Sequence, residues 1–371
     1  MKDSTGGTFF DLRDTAALKA LGILAIVLHN LYHQLPSAVN ENEFSFDPRR
    51  FEQFLATVVE PRQTVQATFS FLGHFGVQLF IFLSAYGLAL KHWTTSSWSA
   101  FVWGRVKKIY PTFLLSLATL LLLQTIQDGP ARVWAYLLRQ GDELLLTTLA
   151  VQNLIPGMGL PPVGPWWFLP FIIQFYCLWP ALAALSRRFA GPGLAAIAVA
   201  GLALSLAFQW SLGRTLGINL LTTPLGHLPE LCLGVACARY GFQVNLGTAI
   251  VAAVFFILGN MYASLWLLTF ISALVLLLYG YQLTAGALRE RRLLEFLARI
   301  SMPLFFVNGF MRGPFLIAAQ SGLWYVELAV GLSFAVTCAG VAYILTLTER
   351  SLVTAVQKRN RTREPASSRF I

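Results

Sequence analysis

The chain has 371 residues, 56% of them hydrophobic and 12% charged, with 27 Lys and Arg against 17 Asp and Glu for a net charge of +10. Soluble domains carry about 25% charged residues, so a soluble globular protein, a disordered chain and a secreted disulfide scaffold are all excluded. The positive charge falls in short clusters between long apolar runs, the pattern of cytoplasmic loops in membrane proteins rather than of a nucleic-acid-binding face.

A membrane helix takes about 20 apolar residues. Apolar runs predict ten spans, at 16–35, 69–90, 110–127, 166–186, 194–210, 219–238, 247–262, 264–283, 296–318 and 327–348. The first run follows a polar segment with Lys2, Asp3, Asp11, Arg13 and Asp14 and has no small-residue cleavage site, so it reads as a retained helix. The seventh and eighth nearly touch, as a tight hairpin or as one long or re-entrant element. The apolar stretch 144–154 is too short to span and is expected at the interface or dipping in from one side.

Loop charges set an orientation. With the N-terminus inside, the inner segments hold Lys91, Arg105, Lys107, Lys108, Arg187, Arg188, Arg239, Arg289, Arg291, Arg292 and Arg299, and the tail adds Arg350, Lys358, Arg359, Arg361, Arg363 and Arg369. The outer segments hold fewer cations than acids, among them Glu41, Glu43, Asp47 and Glu52. The positive-inside rule therefore places both termini in the cytoplasm. The expected fold is an all-α polytopic integral membrane protein of about ten transmembrane helices. Its membrane domain is 1–350, with long outer loops at about 36–68 and 128–165, and 351–371 form a basic cytoplasmic tail.

The first outer loop contains ENEFSFDPRRFEQF, either a carbohydrate-contacting or lid segment or an amphipathic helix on the membrane. The second ends in IPGMGLPPVGPWWF, where Gly and Pro punctuate a loop and Trp166 and Trp167 suit an interfacial belt. No inverted repeat of the transporter kind is present. Cys177, Cys232, Cys237 and Cys338 lie in apolar segments, without disulfide or metal spacing.

Ionisable residues inside spans are costly and mark candidate sites. Lys19, His29, Asn30 and His33 lie on the first helix, His74 opens the second, His227 and Glu230 lie in the sixth, and Asn308 and Arg312 in the ninth. His29 is about 15 Å beyond Lys19 along the helix axis. His33 is one turn further, and His74 starts the return helix at the same level. Three imidazoles thus converge at one depth, with a cation below them. Imidazole is a general base near neutral pH. His227 and Glu230 read as a buried pair holding helices together.

The chain resembles the integral-membrane acyltransferase family 3, which O-acylates surface glycans and some lipids or antibiotics. The resemblance lies in 18–29 (LKALGILAIVLH), 76–86 (GVQLFIFLSAY), 105–111 (RVKKIYP), Trp167-Phe168-Leu169 with Phe175, Tyr176 and Pro180, and 301–308 (SMPLFFVN). It implies transfer of an acyl group, commonly acetyl, from cytoplasmic acetyl-CoA to a hydroxyl of an extracytoplasmic glycan. The first-helix His would be the base, with Asn30 beside it. Lys19, Arg105, Lys107 and Lys108 would hold the donor's phosphates, and His74, Ser84 and Asn308 would face the substrate. No metal is expected, nor a nucleic-acid partner. The expected location is a bacterial cytoplasmic membrane.

The chain departs from the family at four places. Nine residues separate Lys19 from His29, where the family has ten, and Asn30 takes the expected place. At about 100° per residue, His33 lies about 40° from the Lys19 direction and His29 about 80°, so the base is His29 or His33. Ala85 replaces a usual Gly, Ile172 and Ile173 stand where some members have a carboxylate, and Asn308 stands where many have His. The other readings of the same polar residues are a transporter or flippase for a glycan, or a non-catalytic accessory protein for a polysaccharide synthase.

Overall fold

The computed structural model describes residues 10–363, apart from 36–37, 95–96, 159 and 289. Lys2, Asp3, Arg289 and the 364–371 portion of the basic tail lie outside the described residues.

The described residues are helical, without strands. In chain order the α-helices are α1 (Leu12–Tyr32), α2 (Pro48–Val58), α3 (Thr64–Leu72), α4 (Gly76–Lys91), α5 (Trp98–Asp128), α6 (Pro130–Thr148) and α7 (Phe168–Leu216). They continue with α8 (Leu228–Arg239), α9 (Leu246–Met261), α10 (Leu268–Leu288), α11 (Arg292–Arg299), α12 (Ser301–Met311), α13 (Gly313–Ala318) and α14 (Trp324–Arg363). Asp11 starts α1 through a capping box, its side chain accepting from the backbone N–H of Arg13 and Asp14 while Asp14 takes the N–H of Asp11. Ser97 and Asn245 cap α5 and α9 in the same sense.

Among the described residues six helices are long and apolar enough to cross a membrane, or seven when α11 and α12, bent by 73°, count as one. The runs expected at 166–186 and 194–210 fall on the two arms of α7, which is interrupted between them at Ala190, where φ 53° and ψ −147° are not helical, just before Pro192. With its leading turn this segment has 53 residues. At about 1.5 Å per residue it is far longer than the roughly 30 Å of a hydrocarbon core. The run at 219–238 is broken, because Pro224 and Gly226 lie in 3₁₀ turns before the 12-residue α8. The seventh and eighth runs form a tight hairpin of α9 and α10 across the turn Ala263–Leu265. The ninth is three short helices. The stretch 144–154 begins in the end of α6, which exposes Trp134, Leu138 and Leu145 while burying Leu144, and ends in the 3₁₀ turn Gln152–Leu154.

The helix α1 runs through the middle, against α3, α4, α11, α12 and α14. Two glycines set how closely α4 and its lead-in approach it. A Cβ at Gly76 would sit 2.6 Å from the Gly22 carbonyl oxygen, and one at Gly73 would sit 2.7 Å from the His29 Cβ. Small residues let helix backbones meet in this way. Here the contact brings the segment carrying His74 against the turn of α1 that carries His29.

The first long loop folds back over this end of α1. Asp47 and Pro48 start α2, whose Phe51 and Phe54 bury against Phe71 of α3. Asn42 is buried. It receives the indole N–H of Trp266 on its carbonyl at 2.8 Å. Phe44 packs edge-on against Trp167.

Candidate active site

Of the cavities that open on α1, one at its Lys19 end and one at its His29 end carry the polar candidates. The first, of about 270 Å³, is lined by Lys19, Lys91, Arg105 and Lys108 with Ser84, Tyr176 and Phe305. Lys19 is exposed into this space rather than packed. Arg105 lies against the rings of Phe101 and Tyr176, 5.3 and 5.7 Å from their centroids. Among the described residues no carboxylate pairs with any of these four cations. Unpaired cations converging in one cleft make a site for a multiply charged anion.

The second cavity, of about 190 Å³, is lined by His29, Asn30, His33, His74, Glu41, Glu43 and Arg312, with Phe44, Trp167 and Phe305 among its apolar walls. The imidazoles of His29 and His33 stack with centroids 4.5 Å apart, and His74 is 5.6 Å from His29. The expected convergence of the three rings is therefore present. His29 Nδ1 lies 3.1 Å from the carbonyl oxygen of Phe69. A carbonyl only accepts, so Nδ1 carries the hydrogen and Nε2 keeps its lone pair. That lone pair faces Glu43, whose carboxylate oxygen is 3.9 Å away. His33 Nδ1 in turn donates to the His29 carbonyl at 2.6 Å.

Glu41 and Glu43 reach the cavity from alternate positions of the folded-back loop. Asn42 and Phe44, between and after them, anchor that loop to Trp266 and Trp167. Burial pushes the Glu43 carboxyl well above the usual carboxylate range, and the neighbouring Glu41 charge adds to the shift. His29, His33 and Glu41 each offer a metal-ligand atom, all within 4.8 Å of one another. The two imidazoles lie nearly parallel, at 15°. In-plane lone pairs on parallel rings do not point at one ion, so this arrangement suits bases better than zinc ligands.

The sequence candidates divide between the two cavities. Lys19, Arg105, Lys108 and Ser84 line the first, and His29, Asn30, His33 and His74 the second. Lys107 lines neither and lies over the Trp103 ring. Asn308 is fully buried and lines neither. It accepts from the Asn30 amide at 2.6 Å and donates to the carbonyls of Leu304 and Phe305, so it fixes Asn30 against α12. Sequence reading named Arg312 among the intramembrane candidates without a role, and did not assign Lys91, Glu41 or Glu43 to a site. The acidic ENEF run carried a signal for the last two, since alternate residues of an extended segment face the same side.

The family model described as an acyltransferase domain matches residues 15–348. The chain belongs to acyltransferase family 3. It is thus a membrane acyltransferase, with both cavities inside the matched region. No curated protein and no solved structure matches it. In this acyltransferase Phe305 lines both cavities. The cation-lined space and the imidazole-lined space thus adjoin at a single side chain on α12.

Proposed function

We propose that the protein moves an acetyl group from cytoplasmic acetyl-CoA to a hydroxyl of an extracytoplasmic glycan. The observation that carries this reading is the adjoining pair of cavities. Four unpaired cations at one end of α1 match the phosphates of a CoA thioester. An imidazole with a free lone pair at the other end matches a base for a hydroxyl. About 15 Å of helix separates Lys19 from His29, a span for the donor's extended arm, with Phe305 at the junction.

The chemistry follows from the cavity's groups. The acceptor oxygen attacks the thioester carbonyl carbon while His29 Nε2 takes the hydroxyl proton. The Glu43 carboxyl, in the protonated form that its burial favours, and the Arg312 cation stabilise the oxyanion. The tetrahedral intermediate collapses, the C–S bond breaks, and the proton on Nε2 passes to the thiolate, leaving an ester and free CoA. His33 and Asn30 complete the wall, and His74 supports the His29 ring.

In this reading the Lys19 end faces the cytoplasm of a bacterial cell, both termini lie inside, and the chain crosses the inner membrane ten times. The excess length of α7 and the loop charges support that count. The test is transfer of labelled acetyl from acetyl-CoA by protein in nanodiscs. Label in an ester of an added envelope-glycan fraction is the expected result. A protein that binds no acyl-CoA but moves a labelled lipid-linked sugar across vesicles would be a transporter instead.

A further inference from the structure

Beyond Phe44 and Leu160, which line the imidazole cavity, those same two residues line another cavity, of about 370 Å³. Its wall carries Gln152, Asn153, Gln209, Asn219, Trp210 and Arg214. The transfer chemistry above uses none of them.

The size of the imidazole cavity is informative. Ligand pockets hold about 300–1,000 Å³, and the space at His29 is about 190 Å³. It has room for the reacting hydroxyl and the acyl carbonyl, and little else. The body of an acceptor must extend elsewhere, and the cavity past Phe44 continues the space.

The second wall is built and polar. Asn153 donates to the Thr222 carbonyl at 2.6 Å and to Gln174 at 3.2 Å. Gln209 donates to Asn219 at 2.9 Å and accepts from the backbone of Leu220 at 2.9 Å. Asn219 also donates to the Phe44 carbonyl at 3.2 Å, tying this wall to the loop that carries Glu43. These bonds fix the amides: Asn219 Oδ1 is filled by Gln209 and the Leu221 N–H, whereas the side-chain oxygens of Asn153 and Gln209 each accept once and keep a second lone pair for a ligand. Trp210 is 41% exposed and braced by Trp266 at 5.6 Å. Arg214 is exposed and forms no ion pair among the described residues. An aromatic belt at the membrane surface accounts for an exposed Trp. It does not account for a fixed amide wall joined to the loop that carries Glu43.

A pyranose ring has an apolar C–H face and a polar rim. It meets this wall with its face on the electron-rich indole of Trp210 and its rim oxygens at the amides and Arg214. We propose that the second cavity is a flanking subsite that binds the sugar residue adjacent to the one being acylated. The acceptor is then an oligo- or polysaccharide of at least two units. This rests on the glycan-acceptor reading above.

The test uses full-length protein in nanodiscs, labelled acetyl-CoA and a partial acid hydrolysate of bacterial envelope polysaccharide, separated into mono-, di- and trisaccharides. Wild type is expected to favour di- and trisaccharides over monosaccharides by about 10-fold or more in kcat/KM, the factor given by about 1.4 kcal/mol of added contact. Trp210→Ala and Arg214→Gln should remove that preference through KM and leave monosaccharide transfer unchanged. Trp210→Phe should keep most of it and shows that the position tolerates change. Equal wild-type rates on all lengths would overturn the subsite, as would a Trp210→Phe or Arg214→Gln variant that lowers all lengths alike. Label in no sugar fraction from wild type would overturn the glycan reading, and the subsite with it.

Discussion

Nε2 of His29 lies 3.9 Å from a carboxylate oxygen of Glu43, and both side chains are shielded, at 4% and 16% exposure. The pair joins the last turn of the central helix α1 to a loop that has folded back from outside the bundle. Burial raises the Glu43 carboxyl, and in the proposed reaction its protonated form is the donor to the oxyanion. Glu43→Gln keeps a donor at that point and is expected to retain most activity at neutral pH while losing the fall in rate that ionisation of Glu43 causes on the alkaline side. Glu43→Ala is expected to lose about 10²-fold, the loss typical of one oxyanion donor. A pH–rate profile of the two variants checks both.

The same shift has a consequence for stability. A carboxyl raised in the folded state is ionised first in the unfolded chain as pH rises. Its contribution is therefore complete below the ordinary carboxylate range, near about 4.3. It is lost as pH climbs from there towards the folded pKa. Glu43→Gln removes this loss. Its melting temperature in detergent should exceed that of wild type at pH 7 and match it near pH 4.

The cation-lined cavity separates lysines that look equivalent in sequence. Lys19→Ala, Arg105→Ala and Lys108→Ala should each raise KM for acetyl-CoA about 10-fold or more, as expected for losing one charge-assisted contact worth about 1.5 kcal/mol. The effect on kcat should be small. Lys107→Ala, whose ammonium lies over Trp103, should leave KM unchanged. Donor titrations at fixed ionic strength distinguish the four.

Phe305 borders both cavities. Phe305→Ala is expected to open the junction to water, so that CoA release without acceptor rises while ester formation falls. The ratio of free CoA to labelled ester measures this directly.

Much of this arrangement was legible in the chain. The spacing of Lys19, His29 and His33, with His74 opening the next helix, placed three rings at one level and a cation at the other, because a helix converts residue number into depth at a fixed rise. The basic segment at Arg105 and Lys108 was legible for the same reason. The roles of neighbours in three dimensions were not. Asn308 resembled a substrate contact, yet its amide is spent on Asn30 and on two carbonyls of its own helix. Glu43 resembled one acid among several in a loop, and only the anchoring of Asn42 under Trp266 turns it inward. The interruption of α7, by contrast, was legible, since the runs at 166–186 and 194–210 read as two and the backbone leaves helical φ/ψ between them at Ala190.

The close approach of α1 and α4 offers a test of the packing alone. Gly76→Ala would place its methyl 2.6 Å from the Gly22 carbonyl oxygen. It should destabilise the protein by about 1–3 kcal/mol, the usual cost of overpacking. Gly87→Ala, on the same helix with open space at its Cβ position, should cost nothing measurable. Thermal unfolding in one detergent compares them.

The assignment of His29 as the base is tested most directly by acetyl transfer from labelled acetyl-CoA, with wild type, His29→Ala and His33→Ala compared as folded, monodisperse protein in nanodiscs. His29→Ala is expected to lose about 10²-fold or more of the transfer rate, the usual scale of general-base catalysis, with acetyl-CoA binding intact, while His33→Ala retains a measurable fraction. Normal transfer by His29→Ala would contradict the assignment.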